Sequence, residues 1–180
     1  MRYVLTALSA LVVGVCSLIP APALAGESPS SEIARALTAG PAAITKHATV
    51  AFMDDSGKMT VLRKGSNGWT CAVGTKDEVG ADPFCTDAAG MQWTMDWVAQ
   101  KPHPTNTKPG IMYMFAGGRD WSATDPWATK GTPISEPPHW MILWPFSATA
   151  SGLPTGVKMT GTWIMWAGTP YAHLMINQKP

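Results

Sequence analysis

Charge is scarce in this chain, and so are the residues on which most recognisable chemistry depends. Lysine and arginine together number 13, and aspartate and glutamate 12, among 180 residues. They form no block of one sign, which argues against nucleic acid or an anionic membrane surface as the main partner. Cysteine is limited to three residues and histidine to four. No C-x-x-C pair, H-E-x-x-H, G-x-S-x-G or phosphate-cradling glycine loop occurs, so the common zinc, hydrolase and nucleotide signatures are missing. Beyond residue 25 no apolar stretch is long enough to span a bilayer. What is abundant is soft and bulky: all nine tryptophans and ten of the eleven methionines lie beyond residue 25.

The first residues have a different character. Met1-Arg2 leads into an uncharged apolar run over residues 4–19, broken by Pro20 and Pro22, and Ala23-Leu24-Ala25 follows before Gly26. A basic start, an apolar middle and an A-x-A exit predict a secretory signal peptide over residues 1–25. The run is short for a membrane anchor, and bulky Val15 disfavours Cys16 as an acylation site. Taking 25 residues from 180 leaves 155, the size of one domain spanning 26–180. Loss of Arg2 leaves 12 basic against 12 acidic residues. A secreted or periplasmic location follows, with no membrane span after cleavage. Cys71 and Cys85 then remain, and an even pair in an exported chain predicts a disulfide.

Periodicity and turn chemistry divide the rest. Ser30 or Ser31 is placed to cap a helix over 32–39, stopped by Gly40-Pro41. Apolar runs over 48–53 and 58–63, joined by Asp54-Asp55-Ser56-Gly57, predict a hairpin. A turn at Gly65-Ser66-Asn67-Gly68 leads to a strand over 69–73 and a three-strand meander. Residues 74–86 read as a polar loop. Asp87 caps a helix over 88–100, with Met91, Met95 and Val98 on one stripe and Trp93 and Trp97 on the next. His103, between two prolines, reads as a surface turn. A strand is expected over 111–116, and then twenty residues, 119–138, show no periodicity. Loops of that length are usually functional or disordered, and Trp121 and Trp127 argue against disorder. Strands over 139–144, 162–166 and 171–176 close the chain, the last two as a hairpin, all apolar on both faces and so expected to be covered centrally. The fold class is α+β: a single antiparallel sheet of roughly six strands, two helices and a long tryptophan-bearing loop.

The motifs Gly65-Ser66-Asn67-Gly68-Trp69-Thr70-Cys71, Pro83-Phe84-Cys85, Thr124-Asp125-Pro126, Pro138-His139-Trp140-Met141 and Gly168-Thr169-Pro170-Tyr171-Ala172-His173-Leu174-Met175 follow one another through the chain. In that order they resemble an uncharacterised family of exported bacterial proteins, over nearly the whole length beyond residue 25. The resemblance implies export and a single domain, and it brings no activity with it.

Candidate chemistry centres on the repeated His-x-Met. Alternation along a strand puts His139 with Met141, and His173 with Met175, on one face each. Were the two strands neighbours, these four would form a soft-metal site suited to Cu(I), with Met112 and Met114 as further donors and Trp140 or Trp144 as a shield. The bland reading is core packing, with methionine as filler and each histidine hydrogen-bonded internally. A small-ligand pocket is expected between the 119–138 loop and the two histidine strands, drawing on His139, His173, Asp120, Trp121, Asp125 and Trp127. A hydrolase reading makes His139 or His173 a general base, oriented by Asp120, Asp125 or Glu136, with Ser122 or Thr124 as nucleophile. A glycan- or cell-wall-binding reading stacks sugars on Trp121, Trp127, Trp140 and Trp144.

Overall fold

A computed structural model describes residues 27–177; the expected signal peptide lies outside them. Helix α1 (Pro29–Ala36) begins three residues earlier than expected because Ser28 caps it, accepting from the Ser31 amide at 3.3 Å, with proline at the first helical position. It tightens into a 3-10 turn (Leu37–Ala39), and a short α2 (Ala42–Thr45) delivers the chain to the sheet. Strands β1 (Thr49–Met53), β2 (Met59–Arg63), β3 (Thr70–Val73) and β4 (Phe84–Thr86) precede α3 (Ala88–Val98). Then come β5 (Gly110–Met114), β6 (Gly118–Asp120), β7 (Ile134–Glu136), β8 (His139–Leu143), α4 (Ala148–Ser151), β9 (Gly161–Met165) and β10 (His173–Asn177).

The architecture is α+β, but the sheet is larger than expected and not wholly antiparallel. Eight strands run in the order β2-β1-β3-β4-β5-β8-β10-β9, and β6 pairs with β7 in a separate ribbon. The hairpin of β1 and β2 forms as read. The meander does not: β3 pairs with β1 in parallel. The six residues after β2 cross the start of β1, where the Gly65 amide donates to Thr49 Oγ1 at 3.2 Å and the Ser66 amide to the His47 carbonyl at 2.8 Å. A Cβ on Gly65 would come within 2.1 Å of the Thr49 nitrogen, so the crossing depends on a residue without a side chain. The local pattern is the same for either neighbour, because β3 runs antiparallel to β2 in both arrangements.

Three further differences have one cause. β4 lies inside the expected polar loop, β7 lies inside the expected structureless segment 119–138, and β6 runs into its start. Each is three residues long, too short for alternation to register.

Helices cover opposite faces of the sheet. α1 packs on the half containing β1 to β4, over Val50, Cys71, Val73 and Cys85. α3 lies on the other face against β4 and β5. Its buried stripe is Trp93 with Ala89, Gly90, Thr94 and Asp96, while Met91, Met95 and Val98 are half-buried. Of the expected tryptophan stripe Trp93 takes the core position, while Trp97 is half-buried. On the face away from α3, Ile111, Trp140, Ile142, Leu174 and Ile176 are half-exposed, and no described helix lies over them, so the late strands are covered on one side rather than two.

Cys71 and Cys85 face each other across β3 and β4 and form the expected disulfide. Both are fully buried beneath Ala36 and Ala39. A bridge spanning 14 residues removes chain entropy from the unfolded state worth about 3 kcal/mol. Cys71→Ser with Cys85→Ser is expected to lower the denaturant-derived stability by about that amount. The native protein should also resist alkylation after mild reduction until it unfolds, because solvent does not reach either sulfur.

Candidate functional site

Strand register decides what meets what. On the face under α3, Met112 stands opposite Met141, and Met141 opposite Met175. Three methionines on three adjacent strands therefore form one row, continued by Trp163 on β9 and by Thr86 on β4. The histidines share this face but not this row. His139 stands between Met114 and Asn177, and His173 is opposite Met165. Four residues of register separate the two histidines, roughly 13 Å along the strand at about 3.4 Å per residue. The His-x-Met echo brings the thioethers together and sets the imidazoles at opposite ends.

Both rings are anchored alike, each to the carbonyl two residues back. His139 Nδ1 bonds the Pro137 carbonyl at 2.8 Å, and His173 Nδ1 the Tyr171 carbonyl at 2.9 Å. A carbonyl only accepts, so Nδ1 carries the proton and Nε2 keeps its lone pair in both. His139 is fully buried, and its Nε2 lies 3.7 Å from Glu136 Oε2 without a hydrogen bond. That spacing would admit an ion pair, but both groups are held neutral. Burial lowers the His139 pKa. Burial also raises that of Glu136 to about 8, helped by the charges of Asp120 and Asp82. Burial likewise lifts Asp120 to about 6, against the amides of Ser122 and Trp121.

His173 has different surroundings. Its ring stands edge-on between the Trp93 and Trp166 indoles, at 5.2 and 5.0 Å between centroids. Burial pushes its pKa down to about 4. Trp93 and Trp166 lie parallel at 5.9 Å and 4°. Trp166 adopts a left-handed backbone, φ 53°, unusual for so large a residue. It is held there by its amide bonding the Ala123 carbonyl at 2.8 Å and its indole N–H the Ser122 carbonyl at 2.9 Å. The same segment is stitched to α3, with the Trp97 indole donating to the Pro126 carbonyl and the Trp127 indole to the Trp97 carbonyl.

Beside Trp93, Trp166 and His173 lies a partly open cavity of about 90 Å³. One end of α3 touches the sheet directly: a Cβ on Gly110 would lie 2.3 Å from the Gly90 nitrogen, and one on Gly90 2.0 Å from Thr86 Oγ1. Further along, Trp93, Thr94 and Trp97 line the cavity from the helix side. Met112, Met141, Met165 and Met175 line it from the sheet, and His173 is among its walls. Asp120 and Glu136 of the β6–β7 ribbon line it as well. It adjoins an open groove of about 470 Å³ bordered by Asp54, Asp55, Glu78, Asp82 and Trp121.

Of the residues singled out in the sequence, His173, Met112, Met114, Met141, Met175, Asp120 and Glu136 line the cavity. His139 is not among its walls; it sits against Glu136. Trp121 borders the groove instead. Asp125 is exposed and makes a turn, accepting from the Trp127 amide at 2.9 Å. Trp127 is 37% exposed and caps Tyr171 edge-on. The Ser122 and Thr124 hydroxyls bond each other at 3.2 Å, and no histidine is among their hydrogen-bond partners. Trp140 points to the opposite face, beside Tyr113, and Trp144 borders a separate groove near His103. The indoles of the expected stacking platform are therefore dispersed. Met165, Trp93, Trp97 and Trp166 are walls that the sequence does not single out; the i, i+4 spacing of the α3 indoles is the signal it offers.

Among the described residues no three of His, Cys, Asp and Glu converge to hold a metal, and no helix is long and apolar enough to cross a membrane. No family model matches the chain, and neither a curated protein nor a solved structure matches it.

The buried groups set a pH dependence. Glu136 is raised from 4.5 to about 8, so its contribution to stability is whole below pH 4.5 and is lost as pH rises through 8. His173, lowered from 6.5 to about 4, contributes fully above pH 6.5 and loses its contribution as pH falls toward 4. Asp120 has finished titrating near 6, which leaves the interval from 6.5 to 8 to Glu136. Stability from urea denaturation is expected to fall by about 2 kcal/mol across that interval. In Glu136→Gln the slope should vanish; a slope unchanged by the substitution would assign it elsewhere.

Proposed function

We propose that this is an exported binding protein that seats a small molecule in the methionine-lined cavity. One observation carries the reading: His173, its Nδ1–H satisfied by a main-chain carbonyl, lines a mostly apolar cavity together with Glu136, whose Oε1 is buried without a hydrogen-bond partner among the described residues. An apolar chamber with a few convergent polar groups is the usual form of a small-ligand site. Thioethers and indoles supply dispersion and adapt to shape, while the imidazole lone pair and the two carboxyl groups give polar recognition. Export rests on the signal-peptide pattern, to which a buried disulfide is suited.

The test is ligand-observed NMR with a library of small fragments, on the native protein and on Met112→Phe, which fills the cavity from the floor. Fragments that bind the native protein and are lost in the variant support the reading. Fragments that bind both alike defeat it.

The methionine row favours a second reading, a soft monovalent ion such as Cu(I). A histidine ligand usually has its other nitrogen anchored, as His173 does. The donors would be His173, Met141 and Met175, with Met112 in place of His139, whose Nε2 faces Glu136. Titration with Ag(I), a redox-inert stand-in, should then saturate at about one equivalent and lose roughly tenfold or more in affinity in His173→Ala. No saturable binding, or binding indifferent to His173, discards the ion.

A further inference from the structure

We propose that the molecule seated in the cavity is a small organic cation, its ammonium group held by Asp120 and Glu136 and its apolar body laid along the methionine row. This rests on the cavity being the binding site and adds the charge of its occupant. The Glu136 side chain is 6% exposed and lines the cavity, and its Oε1 is buried without a hydrogen-bond partner among the described residues. A buried acceptor left unpaired marks a place where a donor is missing. Asp120 belongs to the same face of the ribbon, because Gly118 pairs with Glu136 and Asp120 with Ile134. Two carboxyl groups thus border one apolar space.

The neighbouring guanidinium does not fill the vacant role. Arg119 and Asp82 also line the cavity, but the Arg119 guanidinium is taken up elsewhere: it donates to the Asp77 and Glu78 carbonyls at 3.2 and 3.0 Å and lies 3.6 Å from Asp82. The groove beside the cavity carries Asp54, Asp55, Glu78 and Asp82, a field that draws in cations and repels anions. Indole walls add attraction for an ammonium group. A hard divalent ion is poorly served, because it needs about six oxygen ligands and thioethers offer none. Asp120 is the carboxylate at neutral pH, and Glu136 gives up its proton to solvent as the ammonium group binds; the ion pair then gains roughly tenfold or more in affinity over a neutral group of the same shape.

Isobutylamine, protonated at neutral pH, and isobutanol, its neutral counterpart, provide the comparison by isothermal titration calorimetry. The native protein is expected to bind the amine at least about tenfold more tightly. Glu136→Gln and Asp120→Asn, each first shown to melt cooperatively, should bring the two probes to within about threefold while the alcohol binds as before. Equal binding of amine and alcohol by the native protein overturns the cation, as does a preference that survives in both variants. Binding of neither probe overturns the cavity reading itself, which separates the two failures.

Discussion

Everything around the candidate site depends on how α3 meets the sheet. At Gly90 and Gly110 the two backbones touch, with no room for a single added carbon. A turn or two later the same helix carries Trp93 and Trp97, whose indoles need the depth that the glycines deny. The helix thus meets the sheet backbone to backbone at one end and lines the cavity with indoles further along. On the sheet side of the cavity lies a row of methionines rather than branched side chains, and flexible thioethers pack a gap incompletely.

The segment between β6 and β7 borders the groove beside the cavity. It has little regular structure, yet it is held by reciprocal indole bonds to α3 and by the strained Trp166, whose amide and indole both reach it. A loop of this kind is ordered by polar contacts made from aromatic side chains, each giving apolar area and one directed hydrogen bond. The ribbon at its base brings two carboxyl groups to an otherwise apolar chamber. Burial keeps Glu136 protonated near neutrality, which is how a protein tolerates a carboxyl group in such a place.

The two histidines illustrate how one sequence signal can carry two roles. Both sit at the start of a strand, both follow a chain reversal and both bond the carbonyl two residues back. Antiparallel pairing then sends them to opposite ends of the same face. His173 meets the indoles and the cavity. His139 meets Glu136 and is sealed from solvent. The expected side-by-side pair would have required parallel strands or a register four residues different.

Part of this arrangement is legible in the amino-acid order alone. Strand periodicity locates most of the long strands, and alternation places each histidine on the face of its own methionine. The small number of cysteines pairs Cys71 with Cys85. These are local properties: the pleat, the turn residues and the count of cysteines act within a few positions or admit one solution. What the tertiary structure alone decided is non-local. The parallel pairing of β3 with β1 hinges on a crossing at Gly65, and the three-residue strands β4, β6 and β7 exist through their partners. Register across β5, β8 and β10 selected Met112, Met141 and Met175 to meet and held His139 and His173 apart. Long-range pairing is chosen by the summed packing of both faces, which no short window of sequence contains.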